Sequence, residues 1–258
     1  MAKICDIDKI ISSFAPKDLS ESWDNDGVMI CGDYNKNIKK AAVMLEIRDK
    51  GVDFAVKNGV KLIVTHHPMI FEPLKSIAGK DYALFKKLAD NDISVISYHT
   101  RMDSAETGVN QCLAELFELK DIKMFGGESG MLGRIGTLKK PMSQTEFAEY
   151  IKKKLNCGTI RASLFKNGNK KISKAAFVGG GGKSYYHDAY LAGADAYITS
   201  EITHNIFIDA KELDICLFDC GHYYTENIIC SRFKEIITSN FKDVEVLTYD
   251  VKSPYVNI

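Results

Sequence analysis

Short apolar segments alternate with amphipathic segments along most of the chain, and this alternation limits the folds that the chain can adopt. Apolar runs at 41–47, 61–65 and 93–100 have the length and composition of buried strands. The segments between them place apolar residues at helical spacing, as in the helix predicted to end at Gly59. Because strands that alternate with helices are typical of βαβ units, the sequence predicts an α/β fold with a largely parallel sheet.

The two halves of the chain resemble each other in sequence. The segment AVKNGVKLIVTHH at 55–67 aligns with AYLAGADAYITSE at 189–201. The segment ISVISYHTRMD at 93–103 is similar to ICLFDCGHYYTE at 215–226. A pattern repeated in this way indicates an internal duplication, although unrelated α/β units also resemble each other by chance.

A glycine-rich stretch at 125–138 separates the two similar halves. We therefore predict a first α/β repeat over 1–125 and a second over 126–258, with a metal site between them. The first repeat would carry His66, His67 and Asp103, and the second would carry His222 and Glu226.

Composition excludes several classes of protein. The 258 residues include 34 Lys plus Arg and 34 Asp plus Glu, so the net charge is zero, which disfavours a dedicated nucleic-acid binder. A hydrophobic content of 45% excludes a mostly disordered chain. No apolar run approaches a membrane span, and the first residues lack the apolar core of a signal peptide. The seven cysteines show no metal or redox spacing, so we expect free thiols and a cytoplasmic protein.

Two adjacent histidines, His66 and His67, follow the apolar run LIVT, and Pro68 comes directly after them. In open α/β sheets, ligands bind beyond the carboxyl ends of the strands. Adjacent side chains point in different directions, so this pair suits two neighbouring metal ions. The alternative is a pair of polar residues in a turn.

Two further predicted strands each lead to a histidine that is followed four residues later by a carboxylate. The pairs are His99 with Asp103 and His222 with Glu226. This spacing places both side chains on one face if the segment is helical. Imidazole and carboxylate ligands together suit zinc, iron or manganese. Five ligands exceed what one catalytic ion with an open position needs, and they fit two ions that share a bridging carboxylate. The candidate ligands are His66, His67, Asp103, His222 and Glu226.

Five segments of the chain resemble a known family. They are SESWDNDGVMICGD (20–33), LIVTHHPMIF (62–71), SYHTRMDSAETGVNQCLAE (97–115), GRIGTL (133–138) and FDCGHYYTE (218–226). In this order they resemble the NIF-three-like dinuclear-metal hexameric family, whose members are also called GTP cyclohydrolase I type 2 homologues. The resemblance covers essentially the whole chain.

The resemblance implies a fold of two intertwined, duplicated α/β repeats with mixed sheets, and a toroidal homohexamer. It also implies two divalent metal ions per chain. His67 and Asp103 match ligands of one ion, and His66 and His222 match ligands of the other. Glu226 matches the carboxylate that bridges them.

Several residues depart from the pattern of the family. Glu46 replaces an aspartate, Arg101 lies within HTRMD near the predicted site, and TSEITHN brings Glu201 and His204. None of these changes removes a predicted ligand. They leave open whether the chain keeps the substrate of its relatives.

Other polar positions have two interpretations each. His99 is a candidate general acid/base near the metals or a structural residue, and His204 is open in the same way. The loop at 23–25 either lines the pocket or, as we favour, holds a buried aromatic and a capping turn. For the glycines at 179–182 we favour a tight turn over a phosphate-binding loop, since the spacing is not that of a P-loop.

Two functions follow from these features. The first is a metal-dependent hydrolase of a nucleotide or similar small molecule, for which the resemblance suggests ring opening of GTP. The second is a non-catalytic metal-binding scaffold or regulatory protein that acts through protein–protein contacts. Turnover of nucleotides by the pure protein would distinguish them.

Overall fold

The computed structural model describes residues 1–256. The chain forms two compact units, and each unit has its own β-sheet. The first unit comprises residues 1–102 and 229–252, and the second comprises residues 103–228 and 253–256. The chain therefore leaves the first unit, builds the second, and returns. The predicted duplication boundary at residues 125–126 stays a prediction.

The elements follow one another in chain order. The first stretch contains α1 (Ile4–Phe14), a 3-10 turn (Lys17–Leu19), β1 (Gly27–Ile30), β2 (Lys40–Met44), α2 (Asp49–Lys57), β3 (Leu62–Thr65), α3 (Gly79–Asp90), β4 (Ser94–Ser97) and α4 (Thr100–Ser104). The next elements are α5 (Val109–Leu116), β5 (Lys120–Phe125), β6 (Gly133–Met142), α6 (Gln144–Leu155), β7 (Arg161–Ser163) and β8 (Ile172–Phe177). A 3-10 turn (Lys183–Tyr185) leads to α7 (Tyr186–Leu191), β9 (Ala196–Thr199), α8 (His204–Leu213), β10 (Cys216–Asp219) and α9 (His222–Glu226). The chain then returns to the first unit with α10 (Ile229–Asn240) and β11 (Glu245–Thr248).

The sheet of the first unit has the strand order β1-β4-β3-β2-β11. Four of its strands are parallel, and only β1 pairs in the antiparallel sense, with β4. Both β3 and β4 are buried along their whole length. Burial on both faces explains why apolar residues are adjacent at the centres of these strands rather than alternating with polar ones.

The sheet of the second unit has the strand order β5-β6-β8-β9-β10-β7. Its centre, β8-β9-β10, is parallel, while β5, β6 and β7 add antiparallel strands at the two sides. Both sheets are therefore mixed. The predicted α/β class with mixed, largely parallel sheets is confirmed.

The duplication appears in the strand bounds and in the register. The two offsets that align the sequence, 134 and 122 residues, carry β3 onto β9 and β4 onto β10 residue for residue. In the first unit Leu62 pairs with Ser94, and in the second unit Ala196 pairs with Cys216. The same register in both sheets places the residues that follow these strands at equivalent sheet edges.

Four strands escape prediction from the sequence, and one helix is shorter than predicted. β1, β5, β6 and β7 are the antiparallel strands of the two sheets, and none of them is buried along its whole length. The spacing of apolar residues predicts a helix over 105–119, but α5 begins only at Val109, because Gly108 is its N-cap in extended backbone. Ser143 and Glu146, three residues apart in the sequence, predict a capping box at the start of α6, and it is present: Ser143 Oγ accepts from the amide of Glu146, whose carboxylate accepts from the amide of Ser143.

All seven cysteines lie within the described residues and are free, and six of them are buried. Burial raises the pKa of the Cys216 and Cys230 thiols to about 12, so both stay protonated at neutral pH.

None of the helices between residues 1 and 256 has the length and apolar character that crossing a bilayer requires.

Candidate metal centre

His66 and His67 stand at the carboxyl end of β3 in the first unit. The backbone amides of both residues donate to the carbonyl oxygen of Leu45, which follows β2, over 3.1 and 2.9 Å. Thr65 Oγ1 also donates to the carbonyl oxygen of His67. These bonds fix the backbone of both histidines at the sheet edge, where α/β proteins bind ligands. His66 is fully buried and His67 is partly buried.

A third histidine, His99, joins this pair from the end of β4. Its ring centroid lies 5.3 Å from that of His66 and 5.8 Å from that of His67. One ring nitrogen from each of the three lies within 4.8 Å of the others. Three imidazoles at this spacing form a group that could hold a metal ion. The sequence did not predict His99 as a metal ligand.

The Nδ1 atoms of His66 and His67 both contact oxygen acceptors. His66 Nδ1 donates to the carbonyl oxygen of Tyr98 over 2.8 Å, and His67 Nδ1 lies 3.4 Å from a carboxylate oxygen of Glu46. Because a carbonyl oxygen only accepts, the hydrogen of neutral His66 is on Nδ1 and the lone pair is on Nε2. Metal-binding histidines are held in this tautomer by an oxygen acceptor of the same kind.

Glu46 is therefore a neighbour of His67. Its hydrogen bond from His67 lowers the pKa of the Glu46 carboxyl despite partial burial, and the charge of Arg48 acts in the same direction. An ionised Glu46 favours a hydrogen on Nδ1 of His67.

His99 is held by Asp24, which lies 75 residues earlier in the chain. His99 Nδ1 donates to Asp24 Oδ1 over 2.8 Å, and the other oxygen of Asp24 accepts from the amide and the hydroxyl of Thr100. Burial by itself raises the pKa of Asp24, but these bonds outweigh it and lower the pKa to about 2. The ionised carboxylate thus orients His99 and caps the start of α4.

In the second unit, His222 and Glu226 lie one helical turn apart in α9. His222 Nε2 is 2.7 Å from Glu226 Oε2, and Glu226 is only 3% exposed. α9 begins after Gly221, whose positive φ of 82° lets the chain turn from β10 into the helix. The i, i+4 spacing therefore brings both side chains to one helix face.

Glu201 contacts the other ring nitrogen of His222. His222 Nδ1 donates to Glu201 Oε1 over 2.8 Å. With that hydrogen on Nδ1, the contact between Nε2 and the Glu226 carboxylate is favourable only with a cation between the two atoms, a proton or a metal ion. Glu201 follows β9 at the position that corresponds to His67 in the repeat, and this equivalence is the signal that would have identified it.

The glycines at 179–182 allow the approach of Glu226. A Cβ atom at Gly180 would lie 1.9 Å from Glu226 Oε1 and 3.0 Å from His222 Nε2. The amide of Gly180 donates to Thr225 Oγ1, and that of Gly179 donates to a side chain in α5. These two amides are therefore engaged within the protein, which favours the tight turn over the phosphate-binding loop.

Three further residues that the sequence singled out lie on α4 and α8. Asp103 lies in α4 and is 7% exposed, and Asn110 Nδ2 donates to its backbone carbonyl. Arg101 is buried, with its Nε 3.1 Å from Asp26, so it serves the packing of the first unit. His204 is exposed at the first position of α8.

Comparison with known proteins agrees with the motifs. A sequence profile of the Duf34/NIF3 (NGG1p interacting factor 3) family matches residues 2–254, which confirms the resemblance. The GTP cyclohydrolase 1 type 2 homolog of Methanocaldococcus jannaschii is 34% identical over 252 residues, which cover 96% of this chain and 99% of that protein. The homolog of Clostridium perfringens is 33% identical and covers 98% of each chain. The solved structure of reduced HcgD from Methanocaldococcus jannaschii matches with a TM-score of 0.84 at 34% identity, covering 96% of this chain and 97% of HcgD.

Proposed function

The chain belongs to the Duf34/NIF3 family, and on this premise we propose that it is a metal-dependent hydrolase with two divalent ions per chain. Its substrate would be a nucleotide or a similar small molecule. The relatives named GTP cyclohydrolase 1 type 2 homolog support GTP as the first candidate, with hydrolytic opening of the purine ring as the reaction. We further propose a cytoplasmic homohexamer, for which light scattering should give about six times 28.8 kDa.

The proposed ligands are the five residues that match the family's motifs. His67 and Asp103 would hold one ion, and His66 and His222 the other. Glu226 would bridge the two ions. Nitrogen and oxygen donors of these types suit zinc, iron or manganese equally, so the native metal is open.

The observation that carries this proposal is the shared environment of the histidines. Nδ1 of each of His66, His67, His99 and His222 faces an oxygen acceptor. Such acceptors set the tautomer and orientation of histidines that bind metals through Nε2. Each of these four histidines has an oxygen acceptor at Nδ1, and three of them lie in one cluster. This arrangement supports a role in metal binding rather than in packing alone.

The residues of the chain would share the work of the reaction. Two bound divalent ions would supply activated water and would offset negative charge on a substrate. Glu46 and Glu201 would orient His67 and His222. Asp24 would orient His99, which would accept or donate a proton at Nε2.

Metal analysis with a nucleotide screen tests this function. After reconstitution we expect close to two ions per chain, and a loading that never exceeds one would contradict the dinuclear proposal. His67→Ala and His222→Ala should each lose metal, whereas the exposed His187 on α7 is the matched control and His187→Ala should keep both ions. Full metal content without turnover of any nucleotide would instead favour the scaffold.

A further inference from the structure

Trp23, the single tryptophan of the chain, lies exposed at the tip of a tightly anchored loop. Its side chain is 56% exposed. The sequence favoured a buried aromatic with a capping turn at this position. The structure contains the turn, closed by the bond from the amide of Asp24 to the carbonyl of Glu21, but the ring is on the surface.

The loop is held on both sides of Trp23 by polar bonds. The amide of Glu21 donates to Thr100 Oγ1 over 3.0 Å, and the Asp24 carboxylate binds His99 and Thr100. The exposure of the Trp23 ring is therefore not explained by a poorly anchored loop. The bonds of Asp24 place Trp23 beside His99, so one residue positions both the indole and the imidazole.

A second exposed ring completes the arrangement. Phe71 is 46% exposed, and its centroid lies 6.1 Å from that of Trp23, with 63° between the ring planes. Both centroids lie near that of His99, at 6.2 Å for Trp23 and 6.1 Å for Phe71. Asn25 Nδ2 donates to the carbonyl of Ile70 and so ties the segment that carries Phe71 to the tryptophan loop.

We propose that Trp23 and Phe71 form a stacking subsite for a planar heteroaromatic ring of the size of a nucleobase. Aromatic side chains bind bases through their π-faces, and this interaction tolerates different bases. His99, which lies at nearly the same distance from both rings, would meet the polar edge of such a ligand. The inference rests on the proposed function, because it assigns the substrate class of the same site.

The position of the single tryptophan allows a direct test in the full-length protein. Guanosine 5′-monophosphate, added to protein excited selectively at tryptophan, should change the emission of Trp23 in a saturable way. Ribose 5-phosphate, which lacks the base, should leave the emission unchanged. Adenosine 5′-monophosphate should act as guanosine 5′-monophosphate does, because stacking does not depend on hydrogen bonds specific to one base.

Variants measured by equilibrium dialysis with guanosine 5′-monophosphate give the affinity. Trp23→Ala should weaken binding about tenfold, and Trp23→Phe should keep most of it because a π-face remains. Tyr82 on α3 is 55% exposed and is the matched control, so Tyr82→Ala should bind as the wild type does. Phe71→Ala supplies the same test if Trp23→Ala does not fold.

Three results would overturn the subsite: equal responses to the nucleotide and to ribose 5-phosphate, unchanged affinity in Trp23→Ala, or a lower assembly mass of this variant by light scattering. The last result would assign the two rings to contacts between copies of the chain.

A protein that binds two metals but no nucleotide would contradict the subsite alone. A protein that binds the nucleotide at Trp23 but never binds two metals would contradict only the dinuclear function.

Discussion

Oε1 of Glu201 accepts a hydrogen bond from Nδ1 of His222 over 2.8 Å. Glu201 achieves this from a left-handed backbone conformation, with a φ of 59°, which residues other than glycine adopt only at some energetic cost. Strain of this kind persists where surrounding contacts enforce it, and it is frequent at functional sites. The backbone conformation of Glu201 therefore serves the contact of its carboxylate with His222, although Glu201 is not one of the predicted ligands.

Replacement of Glu201 should weaken metal binding without unfolding the protein. Glu201→Ala removes the acceptor and should lower metal affinity about 10- to 100-fold. Glu201→Gln should lower it less, because an amide oxygen still accepts from Nδ1. Competition with a fluorescent chelator measures the affinity, and nitrogen chemical shifts of His222 report its tautomer.

The exposed Glu212 on α8 offers a matched control for this change. Glu212→Ala should leave affinity and tautomer as in the wild type. If Glu201→Ala also leaves both unchanged, the contact with His222 has no role in metal binding.

Glu226→Gln should be the most damaging change at the proposed centre. The substitution keeps the size of the side chain but removes the negative charge that a carboxylate shared by two dications supplies. We expect the loss of at least one ion per chain and of any hydrolytic activity, with the circular dichroism spectrum retained. Full metal content in this variant would show that Glu226 does not bridge the ions.

His99→Ala separates a ligand from a proton-transfer residue. If His99 acts as acid or base, the variant should keep both ions and lose turnover by about 10²–10⁴-fold. Because His99 clusters with His66 and His67, the metal content decides the role. Loss of an ion would make His99 a ligand, and unchanged turnover with two ions would make it structural.

The strand ends that carry histidines could be predicted because they follow buried parallel strands. β3, β4, β9 and β10 are buried over their whole length and have apolar residues at their centres, so both the strands and the residues after them stand out in the sequence. The antiparallel strands do not stand out in the sequence in this way. β5 alternates only loosely between exposed and partly buried residues, and β6 contains three exposed residues near its end.

The acceptors of the histidines could not be predicted in the same way. Asp24 lies 75 residues from His99, and Glu46 lies 21 residues from His67. Both meet their partners through tertiary packing, which leaves no periodic signal in a single sequence. Glu201 is the exception, because the repeat places it at the strand end that corresponds to His67.

Gly180→Ala tests the close approach of Glu226 against a matched glycine. The new Cβ would lie 1.9 Å from Glu226 Oε1, so the carboxylate must move. Gly180 has a φ of 63°, and Gly193 has a similar φ of 83° with no atom within 4 Å of its Cβ position. Both alanine variants should lose about 1–2 kcal/mol of unfolding free energy from the backbone conformation, but only Gly180→Ala should also lose metal. Equal metal content in the two variants, measured on folded protein, would show that the position of Glu226 against the glycine loop has no part in binding the ions.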